Sequence, residues 1–341
     1  MKCTNKRRRV YRKKRSRRGS GIWGILFGIL LVVSVCVAGV TFGLFRAKDV
    51  VLKYETETYK SSASIDALLV DTFCVTSKDV SNEEVHLNGK VHAAGLFALT
   101  DGEVLYAKDV HNRLFPASTT KLLTAYVALK YGKLDDVVTV SKNAVGVPWD
   151  SSRAGLQVGD QVTLETLLYA LMLPSGNDSA VAIAEYISDS EAEFAKLMNQ
   201  EAALLGATNT HFVNAHGYHH KNHYTTAYDL HLIMKACATQ DTLMKILSSA
   251  SYRTQIKQKN GTYRDVTWYQ TNQYITGYQK SPSGMNVIGG KTGTTSEAGS
   301  CLVLYEFDDD SKAYVSIIMG AENKLQLYSD MTELLTAAAK K

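Results

Sequence analysis

Ser118 and Lys121 stand three residues apart in Pro116-Ala-Ser-Thr-Thr-Lys121, just ahead of the apolar run from Leu122 to Leu129. Pro116 suits a first helical turn, where its missing N–H has no partner to lose. Leu122, Leu123, Tyr126, Val127 and Leu129 give the turns that follow a buried face. Residues three apart on a helix are surface neighbours, so the Lys121 amine can reach the Ser118 hydroxyl. A serine hydroxyl is a weak nucleophile until a base takes its proton, and this spacing supplies a base. The pair alone carries little weight, because a chain of this length contains roughly one Ser-x-x-Lys by chance.

Two later motifs add weight. Ser175-Gly176-Asn177 follows Pro174, where a helix ends, so its side chains sit on a loop that can face a cleft. Lys291-Thr292-Gly293 follows Gly289-Gly290 and a strand signal. The low side-chain bulk there leaves a strand edge along which the backbone of a ligand can lie.

Ser-x-x-Lys, Ser-x-Asn and Lys-Thr-Gly in this order resemble the penicillin-interacting serine enzymes. Within that superfamily the chain resembles the D-alanyl-D-alanine carboxypeptidases of the low-molecular-mass penicillin-binding protein type over about residues 93–321. The supporting phrases are Leu105-Tyr106, Leu173-Pro-Ser-Gly-Asn-Asp178, Phe212-Val-Asn-Ala-His-Gly217, Thr225-Thr-Ala-Tyr-Asp229, Gly290-Lys-Thr-Gly-Thr-Thr295 and Glu297-Ala-Gly-Ser-Cys301.

The resemblance implies a β-lactamase/transpeptidase-like fold and a serine-type D-Ala-D-Ala carboxypeptidase. Ser118 would attack the carbonyl between the two terminal D-alanines of a peptidoglycan stem peptide, releasing D-alanine and leaving an acyl-enzyme for water to hydrolyse. Lys121 must be neutral to accept the Ser118 proton, and Lys291 as a nearby cation, together with partial burial, disfavours its charged form. Ser175 would relay a proton to the departing amine, and Asn177 offers a donor and an acceptor to the substrate. The backbone N–H groups of Ser118 and Thr294 would hold the oxyanion. Lys291, Thr292, Gly293 and Thr294 would bind the substrate and its free carboxylate. A β-lactam, mimicking the terminal dipeptide, would acylate Ser118. No cofactor or metal is implied.

Two departures from the family stand out. Some members place an arginine on the strand after Lys-Thr-Gly to bind the substrate carboxylate, and Lys312 to Met319 has none. Many members continue into a C-terminal β-rich domain with a membrane helix, a tether for which an N-terminal anchor is the expected substitute here. Two alternatives compete with the peptidase. A class A β-lactamase shares the three motif types but needs a further glutamate, and no Glu-x-x-Leu-Asn occurs between Asn177 and Lys291. A non-catalytic cell-wall-binding protein could keep the same fold, although Ser118, Lys121, Ser175, Asn177 and Lys291 are all present.

The elements that must position these residues are legible in part. Ala93 to Thr100 and Glu103 to Lys108 flank the turn Asp101-Gly102 as a hairpin. Thr163 caps a helix through Leu164, Leu167, Leu168 and Leu171, and residues 178–205 are helical up to Gly206. Residues 226–247 predict one or two helices, 252–268 strands, 287–288, 301–307 and 313–319 short strands, and 324–339 a closing helix. The fold expected is α/β (α+β), with one antiparallel sheet built from the two ends of the catalytic region and an inserted all-helical lobe.

Composition bounds the remainder. The 341 residues carry 45% hydrophobic and 21% charged residues, as a globular protein does. Eleven of the 38 Lys/Arg lie in the first 18 residues, which contain no acid, so the remaining 27 face 33 Asp/Glu. The body is therefore mildly acidic, with no charge basis for a nucleic-acid surface. The uncharged apolar run Ile22 to Phe45 is long enough to cross a bilayer, and the basic residues before it keep the N-terminus cytoplasmic. The expected organisation is a basic arm (1–21), a transmembrane signal anchor (22–45, uncleaved in preference to a cleaved signal peptide), an extracytoplasmic stalk (46–90) and the catalytic domain (91–341).

Cys74, Cys237 and Cys301 match no disulfide or zinc framework and are expected to be structural thiols. The cluster His211, His216, His219, His220 and His223 lacks helical metal-ligand spacing, and by the resemblance lies on a loop near the cleft. Trp149, Trp268 and Tyr269 are expected to be packing or rim residues, and Asp308-Asp-Asp310 a solvated hairpin turn.

Overall fold

The computed structural model of the protein describes residues 73–88 and 90–341. The basic arm, the membrane segment and most of the expected stalk lie outside these residues. Among the described residues no helix is long and apolar enough to cross a membrane.

In chain order the elements begin with β1 (Ala93–Ala98) and β2 (Glu103–Lys108), followed by a 3-10 turn (Ala117–Thr120) and α1 (Lys121–Tyr131). Then come β3 (Val137–Thr139), α2 (Lys142–Val145), β4 (Gln161–Thr163), α3 (Leu164–Met172), α4 (Asn177–Ser188) and α5 (Glu191–Leu204). They continue with α6 (Ala227–Ala238), α7 (Asp241–Leu247), β5 (Ser251–Lys257), β6 (Tyr263–Tyr269) and α8 (Gln273–Thr276). The last are β7 (Met285–Thr295), β8 (Gly299–Asp308), β9 (Ala313–Ala321) and α9 (Lys324–Ala339).

The hairpin of β1 and β2 turns at Gly102, whose φ of 68° is left-handed, a conformation glycine adopts without a Cβ clash. β1 then pairs with β9, so the two ends of the domain close one antiparallel sheet in the order β2-β1-β9-β8-β7. Period-two alternation serves both faces. Ala94, Leu96, Leu302, Leu304, Tyr314 and Ile318 pack against Leu327, Met331, Leu334 and Leu335 of α9. Phe97, Cys301, Val303, Val315 and Ile317 join the larger core with α1, α3 and α6. Each fully buried aliphatic or aromatic side chain contributes about 1.5–3 kcal/mol, so this two-sided sheet is the rigid frame of the molecule. Its edges are β2 and β7, and β7 carries Lys291-Thr292-Gly293.

Several expectations are corrected. The inserted lobe is not all-helical, because β3, β4, β5 and β6 form a second, four-stranded sheet. Residues 178–205 form two helices, separated where Asp189 turns left-handed (φ 60°) and Ser190 caps α5 by accepting from Glu193 N–H. Part of the expected stalk belongs to the domain: Val80 exchanges backbone hydrogen bonds with Ala107, and Cys74 and Val85 are buried. The Thr163 cap is in place, accepting from Thr166 N–H. Cys74, Cys237 and Cys301 are free and buried. In the β8–β9 turn Asp308 accepts from Lys312 N–H and Tyr314 Oη–H, while Asp309 and Asp310 are exposed.

Candidate active site

Ser118 lies not in an α-helix but in the 3-10 turn that leads into α1. The turn begins with Ala117 at φ 48°, a conformation that costs an alanine on the order of 1–3 kcal/mol and persists only where surrounding contacts impose it. Those contacts are visible: Thr119 Oγ1 donates to the Pro116 carbonyl and Thr120 Oγ1 to the Ala117 carbonyl, each at 2.8 Å. Behind the turn, Leu122, Leu123 and Val127 anchor α1 in the core.

Lys121 is completely buried. Its Nζ lies 3.0 Å from Ser118 Oγ, 2.7 Å from Asn177 Oδ1 and 2.6 Å from the His216 carbonyl oxygen. The last two are pure acceptors and take two N–H groups, leaving the third direction to the Ser118 hydroxyl. A neutral amine has two N–H groups and one lone pair, so this geometry suits neutral Lys121 accepting the Ser118 proton. The amine is held well below the usual lysine range, first by burial and then by the positive charge of Lys291, with Asp178 opposing. Burial, complete rather than partial, outranks the neighbouring cation.

Ser175 sits between α3 and α4 at φ 63°, again left-handed. It is 5% exposed, and its Oγ has no hydrogen-bond partner among the described residues. Asn177 is the first residue of α4, not part of a loop. Next to it, the Asp178 carboxylate accepts from the N–H groups of Ala154, Gly155, Leu156 and Ser179 at 2.8–3.0 Å. That clamp ties the 152–156 segment to α4, and Asn177 N–H donates to the Ser152 carbonyl.

On β7, Lys291 is buried with Nζ donating to the Thr292 carbonyl at 3.0 Å, and burial lowers its amine to about 7. Thr292 Oγ1 lies 2.7 Å from Thr271 Oγ1. Gly293 is where the strand meets the nucleophile turn, since a Cβ there would lie 2.9 Å from both Ser118 N and the Pro116 carbonyl oxygen. Absence of a side chain therefore brings the edge strand beside Ser118. The Ser118 N–H, at the start of a helical turn, is among those without a partner inside the turn, and Thr294 is exposed beside it in the cleft.

The 212–217 loop, which the resemblance places near the cleft, supplies a group that sequence reasoning did not assign, the His216 carbonyl oxygen against Lys121 Nζ. Asn199 clamps Phe212 through both its N–H and its carbonyl, and Thr124 Oγ1 donates to the Ala215 carbonyl. His216 Nδ1 accepts from Tyr218 N–H, which places the proton on Nε2, facing Glu191. His223 Nδ1 accepts from Val213 N–H, so its Nε2–H donates to Thr120 Oγ1. Burial lowers both rings to about 3, keeping them neutral. The histidines thus hold the loop that brings the His216 carbonyl to Lys121. A main-chain oxygen has no sequence signature, and only the Phe-Val-Asn-Ala-His-Gly phrase pointed there.

Ser118 opens onto a cleft with two arms. The larger, about 470 Å3, includes Asp150, Tyr218, His219 and Glu297. The smaller, about 230 Å3, includes Ser175, Thr292, Leu327 and Tyr328. Thr294 and Ser152 border both. Trp149 and Tyr269 are exposed, whereas Trp268 is buried with Nε1–H donating to the Ala154 carbonyl.

A buried lysine against a serine, a Ser-Gly-Asn segment opposite and a glycine-flanked strand edge alongside are the arrangement of the penicillin-interacting serine enzymes. The chain belongs to the D-alanyl-D-alanine carboxypeptidase family, whose sequence profile matches residues 81–323. D-alanyl-D-alanine carboxypeptidase DacF of Bacillus subtilis is 33% identical over 251 residues, covering 72% of this chain and 61% of that protein. DacC of Escherichia coli is 34% identical, with 71% and 59% covered. The chain thus spans about three fifths of the length of these relatives. The Streptomyces K15 DD-transpeptidase crystal structure superposes with a TM-score of 0.68 at 31% identity, over 74% of this chain and 99% of that one.

Proposed function

We propose that the protein is a serine-type D-Ala-D-Ala carboxypeptidase that trims the terminal D-alanine from peptidoglycan stem peptides through a Ser118 acyl-enzyme. The observation that carries this reading is the three-way contact of buried Lys121 with Ser118 Oγ, Asn177 Oδ1 and the His216 carbonyl. As Ser118 Oγ bonds to the substrate carbonyl carbon, its proton passes to Lys121 Nζ. The oxyanion that forms accepts hydrogen bonds from Ser118 and Thr294 N–H. When the C–N bond breaks, the proton travels from Lys121 through Ser175, whose free hydroxyl suits a relay, to the leaving amine. Water then attacks the ester, giving its proton to Lys121, and Ser118 recovers its hydrogen. Asn177, Thr292, Gly293 and Thr294 hold the peptide along the edge of β7. A β-lactam would enter by the same acylation.

The test is mass spectrometry of a pentapeptide ending in D-Ala-D-Ala, incubated with the full chain in detergent. Loss of one D-alanine, abolished in Ser118→Ala, is expected; an unchanged peptide would count against the proposal. Rapid turnover of penicillin, rather than a long-lived adduct, would favour a β-lactamase instead.

For location, the apolar run Ile22 to Phe45 supports an uncleaved single-pass anchor with the catalytic domain outside the cytoplasm. Recovery of the intact N-terminus from the membrane fraction is the expected result, and a chain beginning near residue 40 would contradict it.

A further inference from the structure

Residues 152–156 border the cleft at Ser152 and have no regular secondary structure. Such a segment is ordered only by bonds to its neighbours, because no helix or ladder satisfies its backbone groups. On one side the N–H groups of Ala154, Gly155 and Leu156 all go to the Asp178 carboxylate. On the other side its carbonyls go to β6. Trp268 Nε1–H donates to the Ala154 carbonyl at 2.8 Å, and Arg264 Nη2–H to the Gly155 carbonyl at 3.2 Å. The same Arg264 nitrogen pairs at 3.0 Å with the Asp160 carboxylate, which is 1% exposed and also accepts from Gln157 N–H. Strand alternation puts Arg264, Val266 and Trp268 on the covered face of β6 and leaves Tyr263, Asp265, Thr267 and Tyr269 exposed. The covered face is itself fixed, since the Trp268 ring stacks on Tyr252 of β5 and Tyr252 on Tyr169 of α3, with centroids 6.3 and 3.8 Å apart.

We propose that Arg264 and Trp268 are positioning residues for acylation: from behind, they hold the 152–156 segment on Asp178, so that Asn177 stays in place against Lys121. The inference rests on the serine-acylation reading above. Neither side chain lines the cleft, so both act through the segment. Contacts run from β6 to Ala154 and Gly155, from there to Asp178, and from the Ser152 carbonyl to Asn177 N–H, whose Oδ1 accepts from Lys121 Nζ. Two effects on the base follow. Asn177 Oδ1 fixes the direction of the Lys121 amine. The N–H groups of the segment also offset the charge of Asp178, which acts on Lys121 in the sense opposite to burial. Lys291 is the other charged group acting on Lys121, and the His216 and His223 rings beside it are neutral. Once the segment is released, Asp178 is less compensated and favours the ammonium form of Lys121, which cannot accept the Ser118 proton.

The test uses the full chain in detergent, with fluorescent penicillin for acylation and a pentapeptide ending in D-Ala-D-Ala for turnover. Arg264→Met combined with Asp160→Asn removes the grip without leaving a buried carboxylate unpaired. It lowers the acylation rate and kcat about tenfold, because a displaced partner of the base slows the chemistry, while KM changes by no more than about twofold. The acid limb of its acylation profile moves to higher pH. Trp268→Phe keeps a buried ring and loses only the N–H donor, so it moves the limb the same way by less. Arg264→Lys keeps most of the rate, and Thr267→Ala, on the exposed face of β6, matches the wild type. If the double variant fails to fold, Trp268→Phe decides. A loss of rate with the limb at its wild-type position marks general loosening of the domain and overturns the inference, as does an unaltered rate in both variants. Failure of the wild type to be acylated overturns the serine-enzyme reading instead.

Discussion

Gly217 abuts Ala117 so closely that a Cβ on the glycine would lie 1.8 Å from the Ala117 carbonyl oxygen. The loop carrying the His216 carbonyl and the turn carrying Ser118 are therefore in backbone contact, and Gly217 also sits at φ 84°. Gly217→Ala is expected to cost about 3 kcal/mol from the left-handed conformation and the clash together, and to slow acylation by moving the carbonyl away from Lys121. Thermal unfolding and penicillin labelling measure the two effects; a variant with normal stability and normal labelling would refute the contact's importance.

Replacing Lys121 separates base from scaffold. Lys121→Met fills the same volume without charge, but leaves Asn177 Oδ1 and the His216 carbonyl unpaired at a cost of about 1–3 kcal/mol. Acylation by penicillin is expected to slow by roughly 100-fold to 10,000-fold, the range of a lost general base. In the wild type the acid limb of the acylation profile falls well below the ordinary lysine value of 10.5, since burial and Lys291 lower Lys121. Activity is lost as falling pH protonates the amine at that lowered value. A limb near 10.5 would be incompatible with the neutral base.

Acid should destabilise the domain. His216, His223 and His231 are lowered by burial from 6.5 to about 3. Between those values the unfolded chain binds protons that the folded one refuses, so stability is fully present above the unfolded value and falls as pH drops through that window. Each ring accounts for about 2 kcal/mol at pH 5 by this linkage. Glu306, raised by burial to about 8, and Glu191 and Asp229, also raised by burial, offset part of the loss. Urea unfolding at pH 7 and pH 5 checks the sign; equal midpoints would contradict it.

Where the domain begins is also testable. A chain starting at residue 91 lacks buried Cys74 and Val85 and the Val80 bridge to Ala107, whereas one starting at residue 73 keeps them. The shorter chain is expected to be less stable by about 2 kcal/mol or more, from buried apolar area alone. Matching melting temperatures would restore the stalk to its expected length.

Features set by near neighbours were legible without the structure. The spacing of Ser118 and Lys121, the Thr163 cap, the Asp101-Gly102 hairpin and the 324–339 helix all follow from local periodicity and turn chemistry. The order of the three motifs was enough to indicate one constellation. What escaped was set by distance. The second sheet includes three-residue strands, β3 and β4, too short for a period, and the packing of residues 73–90 depends on a sheet they only border.

The sequence by itself determined which side chains meet at the reaction centre, because hydroxyl, amine and amide chemistry belongs to residue type. Only the tertiary structure decided that Lys121 is wholly buried, that a main-chain oxygen of His216 is one of its partners, and that Arg264 and Trp268 stand behind the 152–156 segment. Backbone carbonyls, solvent exclusion and the backing of a cleft wall are products of packing, and packing joins residues that no local pattern relates.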